Sequence, residues 1–96
     1  MDVTTLVDMG TAKAHDLGMT LPAALRAEIE ERGITQADAA VLLGASRANL
    51  TRWIKNGQAP RPENYEKLCE FLAVDLDRLG SLIIQTERAK WERGDL

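Results

Sequence analysis

Arg47, Ala48, Thr51, Arg52 and Lys55 form a row of small and basic residues on one side of a short expected helix, facing away from Leu50. An arginine guanidinium is a rigid fork of N–H donors that can engage two acceptors at once, as guanine O6/N7 or a phosphate presents them. Alanine and threonine beside it permit close approach. The chemistry on offer is therefore hydrogen-bond donation into the acceptor-rich major groove of duplex DNA. A solvated helix face is the other reading of such charges when they stand alone. The charge distribution argues against it here. The 96-residue chain carries a net charge of −3, which by itself counts against a nucleic-acid partner. Residues 33–62, however, hold Arg47, Arg52, Lys55 and Arg61 against Asp38 alone, a local +3 between two stretches of −3 each. A DNA site needs local positive potential more than a basic average.

No arrangement suited to bond-making chemistry accompanies this row. The single histidine, His15, has no serine, cysteine or second histidine at motif spacing, so no metal site and no nucleophile–base pair is expected, and it is read as a surface residue. Cys69 is the only cysteine, excludes an intrachain disulfide, and is read as a small core hydrophobe in a reducing, cytoplasmic setting. There is no glycine-rich phosphate loop. The sequence gives no reason to expect a cofactor or an enzyme. Met1-Asp2-Val3 does not open a secretory signal, and no run reaches the ~18 apolar residues of a membrane span.

The elements that must position the basic row are legible from local signals. Thr20 caps a first helix with Pro22 in its opening turn and Leu25 and Ile29 on one face, and Gly33 ends it. Thr35 opens a second helix with Asp38 as its capping-box partner, ending at Gly44. Ser46 caps the third, which buries Leu50 with Trp53 or Ile54 and stops at Asn56-Gly57. A loop follows, and Pro62 begins a fourth helix whose Tyr65, Leu68, Cys69 and Leu72 repeat at i, i+3, i+4, i+7. Asp75 caps a fifth, with Leu76, Leu79, Ile83 and Thr86 on the core face and Gly80, Ile84 and Trp91 on an adjacent one. With aromatics limited to Tyr65, Phe71, Trp53 and Trp91, the core is aliphatic and the expected fold class is all-α.

The second and third helices are joined by only Gly44-Ala45-Ser46, too tight a turn for antiparallel packing, so they must cross steeply as a helix-turn-helix. Ala40 is small where the crossing is close, and Gly44 supplies a positive φ. With Thr35-Gln36, Ala40, Gly44-Ala45-Ser46, Leu50, Trp53, Asn56-Gly57, Pro60 and the trailing Leu68, Phe71-Leu72-Ala73-Val74 and Leu79 in register, residues 21–83 resemble the lambda repressor/Cro-like (XRE) helix-turn-helix family. The resemblance implies a compact four- or five-helix domain with its third helix in the major groove. It also implies roles. Gln36 corresponds to a residue touching phosphate or a base edge, and Arg47, Ala48 and Arg52 to base readers. Ser46, Asn49, Thr51 and Lys55 correspond to base or backbone contacts, and Asn56 to a phosphate contact. One departure is Ile54, where the family often has an acidic residue. An added apolar side chain there either enlarges the core or touches a partner.

The resemblance leaves residues 1–20, an N-terminal arm or weak helix, and the helical extension 84–96 unassigned. Within the extension, Ile84 and Trp91 are seven apart on one stripe headed by Gly80, and are expected to form a dimer interface. Closure of the core by the N-terminal segment over Trp91 is the alternative. The leading expectation is a sequence-specific, double-stranded-DNA-binding transcriptional regulator, a repressor, that acts as a homodimer on a partly palindromic operator. An antitoxin that binds a toxin protein and autoregulates its operon is the second reading. A protein adaptor without DNA binding is the third, and the basic row counts against it.

Overall fold

In the computed structural model, residues 19–93 are described, and within them five α-helices follow one another. They are α1 (Leu21–Arg32), α2 (Gln36–Leu43), α3 (Arg47–Lys55), α4 (Tyr65–Leu72) and α5 (Leu76–Arg93). His15 and all but the last two residues of the expected arm lie outside the described residues. No described helix is long and apolar enough to cross a membrane.

The helix boundaries follow from capping chemistry. Each helix start leaves backbone N–H groups without an intrahelical acceptor. Thr20 Oγ1 accepts from Ala23 N at 3.3 Å, Ser46 Oγ from Asn49 N at 3.0 Å, and Asp75 Oδ1 from Arg78 N at 2.8 Å. Thr35 and Asp38 complete the reciprocal box ahead of α2. Three helices end in the same double turn, in which two N–H groups fold back on the last carbonyls: Gly33 and Ile34 after α1, Gly44 and Ala45 after α2, Ala73 and Val74 after α4. Gly33 and Gly44 sit at φ 65, as the sequence leads one to expect, while Ala73 adopts φ 57 without being glycine. The fourth helix also differs from expectation at its start: Pro62–Asn64 form a 3-10 turn, and the α-helix begins at Tyr65.

The core is almost wholly aliphatic, with Leu21, Leu25, Leu43, Leu50, Leu68, Leu72, Leu79 and Leu82 fully buried around the crossing of α1 with α3, α4 and α5. Trp53 and Ile54 are both buried, so Ile54 enlarges the core. Ala39 and Ala40 are buried where α2 meets its neighbours. The expected core face of α5 needs correction. Leu76 is 61% exposed and Ile83 is only half-buried, while Leu82 joins Leu79 and Thr86 inside. The reason is tertiary: α5 packs on α1 and α4 together, which turns its inward face towards Leu82 and leaves Leu76 on the flank.

Two polar ties fix this arrangement. Thr86 is buried in α5, where its hydroxyl donates to the Leu82 carbonyl at 2.7 Å and accepts from the Leu21 N–H, 65 residues away, at 2.8 Å. It thus satisfies a donor at the start of α1. Arg32 closes the other end of α1. Its guanidinium lies 4.3 Å from the Phe71 ring centroid, donates to the Phe71 carbonyl at 2.9 Å, and pairs with Glu28 at 2.8 Å. Thr86→Val keeps the shape but removes the buried side-chain acceptor of the Leu21 N–H. Its expected cost is about 1–3 kcal/mol, read as a lower urea midpoint with an unchanged slope.

Candidate nucleic-acid interface

Residues advance around an α-helix by about 100° each, so a nine-residue helix has room for one buried and one exposed face. On α3, Leu50, Trp53 and Ile54 are buried, and Ala48, Arg52 and Lys55 lie opposite them and are exposed. Arg47 and Asn49 are exposed on either side of this face, and Thr51 is half-buried at its edge. Ser46 is spent as the N-cap through its hydroxyl, although the residue remains exposed. Asn56, also exposed, is the C-terminal cap residue. Gln36 is exposed as the first residue of α2, immediately after the Thr35 cap. The positions singled out from the sequence thus fall on α3, its two ends and the start of α2. Ile84 and Trp91 do not join them. They lie on α5, 59% and 69% exposed.

The orientation of α3 is set at both ends. Before it, Gly44 turns the chain at φ 65, ψ 28, a left-handed conformation that costs an L-residue roughly 1–2 kcal/mol. After it, Gly57 turns at φ 66 and is buried, and a Cβ there would come within 3.3 Å of Thr86 Cγ2. The carbonyl of Gly57 accepts from Lys90 Nζ at 3.3 Å, and the carbonyl of Ile54 accepts from Arg26 at 3.3 Å. Basic groups from α1 and α5 thereby meet the carbonyl end of α3, where the helix dipole favours positive charge. The exposed face of α3 thus belongs to a helix whose carbonyl end is held from both α1 and α5.

The structure brings to this surface residues that the sequence places in a loop. Arg52, Asn49 and Trp53 on α3 face Gln58, Ala59, Arg61, Glu63 and Asn64 across a polar cleft of about 350 Å³. In the sequence Arg61 is only one of the charges of the basic middle. Its approach to α3 depends on the path from Gly57 through the buried Pro60, which no local pattern reveals. Cys69, half-buried on α4, is not part of this surface, and burial followed by the nearby Asp75 carboxylate pushes its thiol pKa up. Among the described residues no group of His, Cys, Asp and Glu side chains could hold a metal ion.

Two short helices crossing at Gly44, with the second packed through Leu50 and its basic face turned outward, form a helix-turn-helix. The family described as Helix-turn-helix matches residues 25–79, more than half of the chain. The chain belongs to the lambda repressor/Cro-like helix-turn-helix family. No curated protein and no solved structure matches it significantly. Family membership makes this a DNA-binding helix-turn-helix domain of the regulator type. The match spans α1 from Leu25 to Leu79 in α5, and so includes every residue of the helix-turn-helix face described above.

Proposed function

We propose that the protein is a sequence-specific transcriptional regulator, a repressor, that inserts α3 into the major groove of duplex DNA as a homodimer on a partly palindromic operator. The observation that carries this reading is the outward face of α3, where Ala48 permits approach and Arg47, Arg52 and Lys55 supply donors opposite a fully buried seam. In this reading Arg47 and Arg52 reach base edges, Ala48 and Thr51 make close contact, and Asn49 and Ser46 flank them. Gln36, Lys55 and Asn56 lie at the ends and engage backbone phosphates. Arg61 adds a positive group beside Arg52. A dimer bound over promoter DNA excludes polymerase, hence repression.

Dimerisation has a physical motive and a candidate surface. One nine-residue helix reads few base pairs, and two-fold pairing doubles the readout with half-sites about one helical turn, ~34 Å, apart. Ile84 and Trp91 stand exposed with Leu76 along α5, and Tyr65, Leu76, Gly80, Ile83 and Ile84 line an apolar groove of about 310 Å³. Exposed apolar patches of this kind commonly mark interfaces. The same exposed Trp91 is what favours the second reading, an antitoxin whose extension binds a toxin protein.

Selection of bound sequences from random duplex DNA, followed by footprinting upstream of the protein's own gene, tests the function. The expected product is a two-fold site with half-sites one turn apart, and enrichment of no sequence refutes it. Within that site, Arg47→Ala and Arg52→Ala should each cost about 1–3 kcal/mol and relax preference at particular base pairs. Lys55→Ala should behave differently, weakening all sequences about equally and lowering the slope of log K against log salt by about 1. Titrations at several salt concentrations separate the two behaviours.

A further inference from the structure

Asn49 and Arg52 sit three apart on the exposed side of α3, and Arg52 Nη1 donates to Asn49 Oδ1 at 3.0 Å. The orientation of the amide follows from chemistry, since a guanidinium has donors only and can face nothing but the carboxamide oxygen. Two consequences matter for readout. The first concerns Arg52: a long, flexible side chain loses freedom on docking, and a bond to the preceding turn fixes its plane in advance. Four further N–H donors remain on the guanidinium, enough for a two-pronged bond to a base. The second concerns Asn49. An unengaged asparagine reads adenine by accepting from N6–H2 while donating to N7. Here the oxygen already faces a cation, so an adenine N6–H2 would have to displace the guanidinium or crowd a proton against its charge. Guanine meets neither obstacle, because it presents only acceptors, N7 and O6, along this edge.

We propose that Asn49 is a positioning residue for Arg52, and that the pair acts as one donor-only reader that selects guanine over adenine at a single base pair. The proposal rests on the placement of α3 in the major groove and goes beyond it by assigning the base and the coupling. The backbone N–H of Asn49 is held by Ser46 Oγ at 3.0 Å, so replacing the side chain leaves the helix cap in place.

Competition binding of the full chain tests it, using the selected operator and its single guanine-to-adenine variants. The proteins compared are wild type, Asn49→Ala, Asn49→Asp, Arg52→Ala and the double alanine variant, each checked for unchanged helical content. Asn49→Ala should lower the guanine-over-adenine preference about five- to tenfold at the same base pair that Arg52→Ala affects, given that one good bidentate contact discriminates by this order or more. At that pair the double variant should be no worse than Arg52→Ala alone, the signature of two groups acting as one. Asn49→Asp keeps an acceptor for Arg52, so the guanine preference should survive even as the added negative charge weakens binding to every sequence. Additive effects at two different base pairs would make Asn49 an independent reader and overturn the proposal. Unchanged base preferences in Asn49→Ala, with Arg52→Ala still selective in its effect, would overturn it as well. Unchanged preferences in Arg52→Ala would instead overturn the placement of α3 on which it rests.

Discussion

The double substitution Ile84→Glu with Trp91→Glu is expected to yield a folded monomer that binds its operator about 10²–10⁴-fold more weakly, because linked half-site binding is lost while each half-site contact remains. Both side chains stand in solvent, at 59% and 69% exposure, so charging them should disturb no core contact. They share a stripe with Gly80, whose missing side chain leaves room for a close approach. The exposure of Leu76 on the same flank, at 61%, extends the apolar surface beyond what the sequence suggested. Sedimentation gives the mass, far-ultraviolet circular dichroism the helical content, and a titration of full and half operators the affinity. The expected pattern is a halved mass, unchanged helix signal and little change on an isolated half-site. Loss of helix signal together with the dimer would assign Ile84 and Trp91 to the core. A dimer that persists would move the interface elsewhere.

The largest expected effect on stability belongs to Leu50→Ala. Leu50 is fully buried beneath the helix-turn-helix crossing, touching the same core that holds Leu25, Leu43 and Leu68. Removing most of such a side chain costs about 2–5 kcal/mol, the larger figure where the surroundings cannot collapse into the space. Domains of this size have total stabilities near the lower end of about 5–15 kcal/mol. At about 4–8 °C per kcal/mol, the midpoint of thermal unfolding should fall by roughly 10–40 °C. Operator affinity measured above that midpoint should vanish with the fold. Leu42→Ala is the matched control. It deletes the same atoms from the same helix-turn-helix, but Leu42 is 51% exposed, and the change should stay within about 0.5 kcal/mol. Similar losses for the two variants would contradict the packing described above.

What sequence determined about this protein is what lies within one helical turn of each signal. Thr20, Thr35 with Asp38, Ser46 and Asp75 announce helix starts because a side-chain oxygen meets an N–H two or three residues on, and that geometry needs no other part of the chain. Gly33 and Gly44 announce ends because a left-handed residue is required there. The short turn between α2 and α3 dictates a steep crossing, and the spacing of Leu50, Trp53 and Ile54 dictates which face of α3 remains outside. Fold class, family and the candidate base-reading face therefore follow from local order.

Tertiary structure decided what depends on where distant segments meet. Ala73 adopts a glycine-like φ of 57, a conformation its own residue type disfavours and which therefore left no signal in the sequence. The rotation of α5, which buries Leu82 and exposes Leu76, is set by packing against α1 and α4 at once, and the periodicity of α5 alone admits several inward faces. Thr86 reaches Leu21, Lys90 reaches Gly57, Arg26 reaches Ile54 and Arg61 comes to line the cleft beside Arg52. The three hydrogen bonds join groups 28 to 65 residues apart, and Arg61 returns to α3 only through the path of the intervening loop. Spacing encodes only the neighbours that a single helix brings together, whereas these contacts exist because closing the shared core fixes where each element lies.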